Sequence, residues 1–352
     1  GDFTITVLTN GGKVTKANQT IPDELSINDF TVNVYSVSGT EDAPVYTWVK
    51  SQSLTTDFIS KTESSDGYSK MTIENLPLNQ TYVCYGYANL GDAAPQGTGT
   101  AYGATAVVKI PDAGFIATDL PMVGTSEAKV LAATGTEYTI ALDRVVSRVD
   151  IVGLTLDANA GKFGASEVTF KLTGISINGV TTSVNSNNTA VAGDPAYWGW
   201  FAADNVWHNT VGGKDFFQDP FVGNTITSKS SEETASAKTI TWGETPASAT
   251  VSTPAASYYI LPNPSKTKVQ VALQGLFSYV KDGQSTTALP STYPVVVAED
   301  GMDTSDNGVV TNNKLYRISI TVAGPGSYGK GSMLVNATVT DYELKTQSVV
   351  VE

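Results

Sequence analysis

The feature that most constrains the fold of this chain is a two-residue hydrophobic period. In the stretch FTITVL, Phe3, Ile5 and Val7 alternate with threonine or leucine, and FTVNVYSV (30–37) and LYRISITV repeat the pattern. Because successive side chains of a strand point to opposite faces, this period indicates strands with one buried face. Helical periods are scarce, and short helical turns are expected only near residues 50–60. The sequence therefore predicts an all-β chain.

Turn residues divide the alternating runs into shorter strands. Asn178-Gly179 lies between the apolar runs of VTFKLTGISINGVTT, and Asp282-Gly283 lies within SYVKDGQS. Asn-Gly and Asp-Gly are the strongest short-range signals for a hairpin, because both central residues of the tight turn need a positive φ. We therefore expect a β-hairpin at each site.

The length of the chain, 352 residues, suggests two domains. An Ala/Gly/Thr-rich stretch, LAATGTEY, ends shortly before residue 140, and a fresh strand pattern follows it. The prediction is two β-sandwich domains, 1–140 and 141–352. The region 181–255 is rich in Ser, Thr and Asn and contains an aromatic cluster, so it is expected to be a long aromatic-rich insertion in the second domain.

Composition excludes several classes of function. The net charge of −13 repels phosphate backbones, so nucleic acid is not expected as a partner. No stretch approaches 18 consecutive apolar residues, the length that a membrane-spanning helix needs. The chain has one cysteine and one histidine, Cys84 and His208. Cys84 is expected to be a buried core thiol, and His208 lies in an irregular run, so no catalytic pair, cofactor or metal site is predicted and the chain is not expected to be an enzyme.

Two stretches leave an alternative open. The acidic residues of AEDGMDTSDNG, around Asp303 and Asp306, lack the alternate spacing of a calcium loop, and a solvated turn is favoured. The aromatic stretch AYWGWFAADNVWHNTVGG places Trp198, Trp200 and Trp207 close together. Exposed rings would form a platform for sugars, whereas a buried cluster would pin a long loop to the sandwich, and the buried cluster is favoured.

The order of several motifs resembles a known family. The motifs are DFTVNVYSVSG, ENLPLNQTYVCYGYANL, DLPMVGTSE, IALDRVVSRVDIVGL, ASYYILPNPS and NNKLYRISITVAGPG. Together they resemble the fimbrillins of Bacteroidales, the subunits of type V pili. The resemblance implies two transthyretin-like β-sandwich domains and export through the outer membrane as a lipoprotein precursor. It further implies assembly into cell-surface fimbriae by donor-strand exchange, with other fimbrial subunits as partners.

The same resemblance assigns roles to both ends of the chain. A protease would remove an N-terminal strand that contains Phe3, Ile5 and Val7. The groove would then accept a neighbour's C-terminal strand, whose residues here are Tyr342, Leu344, Val349, Val350 and Val351. Such insertion is β-augmentation, in which main-chain hydrogen bonds hold the strand and alternate side chains enter pockets.

The processing site departs from the family pattern. The best-known processing protease of the family cuts after arginine, but the arginines of this chain are Arg144, Arg148 and Arg317, none near the N-terminal strand. Either Lys13 or Lys16 is the cleavage site, or the strand is retained. Arg144 and Arg148 share a strand face and are expected to be solvated or paired with a carboxylate.

The sequence therefore favours a structural subunit of a fimbria that supports adhesion. The alternative is a tip adhesin or a surface glycan-binding lipoprotein, with a host or bacterial surface receptor or glycan as its partner.

Overall fold

The computed structural model confirms the all-β prediction. It describes residues 3–9, 24, 26–54, 68–111, 114–133, 136–156, 165, 167–192, 199–201, 207–211, 214–215, 225–231, 234–235, 238–241, 256–263, 269–297, 309–322, 324–325, 333–341 and 344–351. Within these residues the helices are short 3-10 turns, at Gly91–Ala93, at Ala117–Asp119 and at Glu24. No helix in this part of the chain has the length and hydropathy to cross a bilayer.

The strands up to the middle of the chain build the first sandwich. They are Phe3–Thr9 (β1), Phe30–Thr40 (β2), Ala43–Leu54 (β3), Tyr68–Ile73 (β4), Thr81–Ala88 (β5), Val107–Lys109 (β6), Met122–Thr125 (β7), Lys129–Val130 (β8) and Glu137–Arg144 (β9). Their sheet has the order β3-β2-β5-β7-β9-β1-β4, with β8 also paired to β5.

The first sheet folds over on itself at β9. Only Asp143 and Arg144 of β9 pair with β7, whereas Glu137–Leu142 pairs with β1. The two halves of the sheet face each other across a core, because a Cβ on Gly86 of β5 would lie 2.9 Å from the Phe30 ring and 3.4 Å from Ile140 of β9. Alternate residues of each strand fill this core, as the two-residue period predicts.

The second sandwich follows with two main sheets. Its strands are Ser147–Leu156 (β10), Glu167–Asn178 (β11), Ser183–Asn185 (β12), Gly199–Phe201 (β13), Trp207–Val211 (β14), Lys214–Asp215 (β15), Thr225–Ser231 (β16), Thr234–Ala235 (β17), Lys238–Thr241 (β18), Ala256–Ile260 (β19), Gln270–Lys281 (β20), Gln284–Val296 (β21), Lys314–Val322 (β22), Met333–Asp341 (β23) and Leu344–Val351 (β24). One sheet has the order β18-β10-β22-β23-β24, with β19 also on β10, and the other has the order β17-β16-β11-β20-β21.

The two sandwiches meet at a short, buried connection. β9 crosses residue 140 and belongs to the first sheet up to Arg144. Val145 and Val146 are both 1% exposed and join β9 to β10. A second link lies apart from this connection, where β6 pairs with β12 and the Ile110 amide donates to the Thr182 carbonyl at 3.0 Å. The chain thus ties the sandwiches together at two places.

One predicted hairpin is confirmed and the other is wrong. β20 and β21 form a hairpin at Asp282-Gly283, whose φ angles are 51° and 72°. Gly179 also has a positive φ, of 70°, but β11 does not turn back onto the strand that follows it. β11 pairs with β20 along its length and with β16 only over Glu167–Lys171, and the next strand, β12, pairs with β6. A turn signal predicts a change of direction and does not specify the partner of the strand that follows.

One further expectation needs correction in part. Residues 50–54 are the end of strand β3, so the helical turns expected near 50–60 are absent from that described portion. Within the predicted insertion 181–255, β16 pairs with β11 and β18 pairs with β10. These strands extend the two main sheets, while β13, β14 and β15 form a small sheet of their own.

Candidate functional site

The N-terminal strand β1 lies inside the first sheet with a partner on each side. It is antiparallel to β4, with Phe3 opposite Ile73 and Leu8 opposite Tyr68. It is parallel to β9, with Thr4 beside Glu137. A strand at the beginning of the sequence therefore occupies an internal position of the sheet.

The register of β1 matches the buried face of its neighbours. Ile5 aligns with Met71 and Tyr138, and Val7 aligns with Ile140. These three partners are 6%, 0% and 0% exposed. Ile73 and Leu142, which align with the two ends of β1, are fully buried. The strand predicted from Phe3, Ile5 and Val7 is present, and its removal stays a prediction.

β1 is what connects β4 and β9. Within the described residues, β4 pairs with β1 alone, and Glu137–Leu142 of β9 pair with no other strand. If β1 left, a slot one strand wide would open between two unpaired edges. Because β4 and β9 run antiparallel to each other, a replacement strand of either direction would form one parallel and one antiparallel ladder. The slot is therefore open to a strand of either polarity.

The C-terminal strand β24 is an edge strand of the second sandwich. It pairs antiparallel with β23, from Leu344 opposite Thr340 to Val351 opposite Met333. Its other edge has no partner among the described residues. Val349, Val350 and Leu344 lie in this strand, while Tyr342 is outside the described residues. The strand thus has a partner in its own chain, and its role as a donor stays a prediction.

A buried ionic cluster lies where the two sandwiches meet. Arg148 of β10 forms a 2.5 Å ion pair with Glu24, and the side chains are 2% and 0% exposed. The Tyr259 hydroxyl donates to the same carboxylate at 2.7 Å. Arg144 donates from Nη2 to the Glu24 backbone carbonyl at 2.8 Å. The two arginines are therefore paired and not solvated, and sequence analysis missed Glu24 as their partner.

The charge state of Glu24 follows from these contacts. Burial acts to raise the pKa of its carboxyl, because it disfavours the charged form. The charges of Arg148 and Arg144, together with hydrogen bonds from Tyr259 and Arg148, more than offset burial and lower the pKa below its ordinary value of 4.5. Glu24 is thus a carboxylate at neutral pH, and the cluster is an ion pair in the folded chain.

A long loop is fastened over the outer face of the first sheet. Tyr35 and Tyr87 are fully buried there, and their hydroxyls donate to the carbonyls of Ala101 at 2.9 Å and Ala104 at 2.6 Å. The same loop continues into β6, which pairs with the second sandwich. Buried tyrosines that keep their hydroxyls hydrogen-bonded are a stable way to hold irregular chain on a sheet. The loop is therefore part of the body of the protein.

Cys84 and His208 lie in strands of different sheets, β5 and β14. Cys84 is fully buried, as expected, and burial raises the pKa of its thiol to about 12. His208 pairs with Trp200 through backbone register in the small β13-β14 sheet. No group of three His, Cys, Asp or Glu that could hold a metal occurs in the described residues.

Other predicted site residues fall partly or wholly outside the description. Lys13, Lys16 and Trp198 lie outside the described residues, as does the acidic stretch around Asp303. Trp200 and Trp207 occupy strands β13 and β14, and only their backbone register is known. The sugar platform at Trp198, Trp200 and Trp207 thus stays a hypothesis.

Comparison with known proteins supports the fold assignment. No protein-family model matches the chain, and no curated protein sequence is significantly similar to it. Two candidate cell adhesion proteins of Parabacteroides distasonis, both solved as crystal structures, share 14% sequence identity with it. One has a TM-score of 0.53 and covers 100% of this chain and 99% of its own. The other has a TM-score of 0.51, with 96% and 95% covered.

A fimbrilin of Porphyromonas gingivalis also aligns, over 92% of this chain and 91% of its own, with 14% identity and a TM-score of 0.46. The two P. distasonis structures, of which 99% and 95% are covered, support the fold assignment. Structural neighbours of the chain are thus Bacteroidales fimbrial and cell adhesion proteins, and its fold is similar to that of the P. distasonis pair.

Proposed function

We propose that the chain is a structural subunit of a cell-surface fimbria that polymerises by donor-strand exchange. Its neighbours carry the names of fimbrial and cell adhesion proteins, and the motif order resembles fimbrillins. In this proposal β1 is removed, and the C-terminal strand of another subunit takes its place. The partners are other fimbrial subunits.

The observation that carries the proposal is the position of β1. A strand near the sequence start is held between β4 and β9, and its register partners are buried apolar residues. Its loss would leave two unpaired strand edges and an uncovered core, which together demand a replacement strand. A strand at the edge of a sheet has only one neighbour, so its removal would leave no slot between two strands.

The second sandwich has a comparable strand that is not removable. β10 lies between β22, to which it is parallel, and β18 and β19, to which it is antiparallel. It therefore resembles β1 in its pairing. However, β10 joins β9 through the buried Val145 and Val146, whereas 20 residues separate β1 from β2. Of these two connections, the one after β1 has the length that a protease needs for access.

The donor in this proposal is the strand that contains Leu344 and Val349–Val351, with Tyr342 before it. As an edge strand it has one ladder in its own chain, and it would gain two ladders in the slot of a neighbour. Processing after Lys13 or Lys16, in a precursor exported as an outer-membrane lipoprotein, would open the slot. A receptor or glycan surface at Trp198, Trp200 and Trp207 has no described contact in its favour and is left out of the proposal.

The proposal is tested by separating folding from assembly. A chain that lacks residues 342–352 should fold as a monomer, while fibre formation after trimming fails. Val350→Asp should likewise block fibres, because a charge would enter an apolar slot. Gln347→Asp is the matched control, since it adds the same charge at a polar position of the strand and should reduce assembly less.

Electron microscopy and sedimentation would measure assembly, and circular dichroism with a melting curve would check the monomer. Fibres of undiminished number from the truncated chain would refute the donor role. Unfolding of the truncated monomer would also refute it, since β24 would then be needed by its own sandwich.

A further inference from the structure

Glu24 joins the segment after β1 to residues that lie far downstream. Its side chain contacts Arg148 and Tyr259, and its backbone carbonyl contacts Arg144. These partners lie 124, 235 and 120 positions later in the sequence. Arg148 and Tyr259 lie in β10 and β19, which do not pair with β1, and Arg144 lies in the part of β9 that pairs with β7.

The contacts fix both the side chain and the backbone of this residue. Arg144 donates twice to the Glu24 carbonyl, from Nε at 3.2 Å and from Nη2 at 2.8 Å. Arg144 is itself 1% exposed, and its backbone carbonyl accepts from Asn312 Nδ2 at 3.3 Å. A backbone carbonyl held by a buried guanidinium is fixed as firmly as the strands around it.

The cluster also has a strong energetic reason to stay closed. A buried carboxylate that loses its cation, or a buried arginine that loses its carboxylate, is left as an uncompensated charge. Withdrawal of Glu24 from the junction would leave Arg148, 2.5 Å from it in the folded chain, as such a buried charge. The chain at residue 24 is therefore resistant to local opening.

We infer that Glu24 is the anchor at which the N-terminal segment is fastened to the junction, so that trimming releases β1 and nothing beyond residue 24. This inference rests on the proposed function, because it gives Glu24 a part in strand removal. Cleavage before Glu24 frees the strand, while the ion pair retains the new N-terminal segment at the junction. Glu24 is a positioning residue and does not contact the incoming strand.

The test is limited digestion of the full chain with proteinase K, followed by mass spectrometry of the resistant core. In the wild-type protein the stable N-terminus should lie before residue 24. In Glu24→Ala, a core that begins after residue 24 should appear at least about tenfold faster, because local opening controls the cleavage. Arg148→Met should move the N-terminus in the same direction, although it lies 124 positions away.

Two controls separate anchoring from general destabilisation. Glu127→Gln changes an exposed glutamate and should leave the cleavage boundary unchanged. Leu273→Ala removes part of a fully buried side chain in β20, and should speed digestion without moving the N-terminus. An unchanged boundary in Glu24→Ala and Arg148→Met would overturn the inference, as would a shifted boundary in Leu273→Ala.

The N-terminus of the resistant core is measured on the monomer, so the result of the digestion does not depend on assembly. If trimmed wild-type protein forms no fibres, the proposed function fails even where the boundary shifts as expected. If fibres form and the boundary does not move, the anchor fails while the proposed function stands.

Discussion

Removal of β1 should strongly destabilise the first sandwich until another strand replaces it. Phe3–Thr9 has seven residues, with six aligned pairs on each side. Roughly one hydrogen bond per pair, at about 1 kcal/mol net, gives about 12 kcal/mol. Ordering seven residues costs about 10 kcal/mol at roughly 1.5 kcal/mol each. The hydrogen-bond gain and the ordering cost nearly cancel, so the net effect is set by the apolar surface that β1 shields from water.

The apolar contribution comes from five buried residues that align with β1. They are Met71, Ile73, Tyr138, Ile140 and Leu142. If each exposes about 50 Å² when β1 departs, the loss is about 6 kcal/mol at about 25 cal/mol per Å². At about 2–4 °C per kcal/mol, the melting temperature should fall by about 15 °C.

The assay compares one protein before and after the strand leaves. A specific protease site is inserted between β1 and β2, and cleavage alone should change the melting temperature little, because β1 remains bound. Denaturation, separation of the released strand and refolding should then produce the full drop. A synthetic peptide of residues 1–9 should reverse it, and a peptide of residues 342–352 should reverse it in part. A separated protein that melts within about 2 °C of the intact chain would refute the reasoning.

Two further predictions concern packing and charge. Gly275→Ala should lower the free energy of unfolding by about 1–3 kcal/mol, because its Cβ would lie 2.3 Å from the Phe170 ring. Adding Phe170→Leu should restore part of this loss, as measured by urea denaturation. If the effects of the two substitutions were simply additive, the explanation would be wrong. Glu24→Gln should cost about 3–5 kcal/mol at pH 7. The lowered pKa of Glu24 means that its stabilisation is present above the ordinary value of 4.5 and is lost as pH falls through the folded value. The difference between wild type and Glu24→Gln should thus be constant between pH 5 and 7 and shrink below about pH 4, and a difference that grows on acidification would contradict the assignment.

The sequence was informative about strands and uninformative about their partners. Glu137–Arg144 alternates exposed and buried residues almost perfectly, so its existence and its inner face follow from periodicity. Its parallel pairing with β1 joins residues more than 130 positions apart, and no local pattern encodes that choice. The Asn178-Gly179 prediction failed for the same reason. The turn residue was identified correctly, but the strand after it pairs with β6, which lies in a distant part of the sequence.

The junction shows the same limit for the candidate site. Arg144 and Arg148 stood out in the sequence because two cations on one strand face need an explanation. Their partner is one glutamate among 34 acidic residues, and nothing adjacent to Glu24 distinguishes it. Only the fold brings together residues 24, 148 and 259. The arginines alone left a solvated face and an ion pair equally open, and the buried cluster followed only from the fold.

The two strands in comparable positions, β1 and β10, show how one pairing pattern can serve two purposes. Each runs parallel to one neighbour and antiparallel to the other, and each lies beside buried apolar residues. β10 is joined to β9 by two buried valines and carries Arg148, so its withdrawal would break the junction as well as the sheet. The segment after β1 is instead held at Glu24, beyond the strand itself. If β1 is exchanged as proposed, the ion pair would place the boundary between exchanged and permanent structure at Glu24, and β1 would be replaced without disturbing the junction.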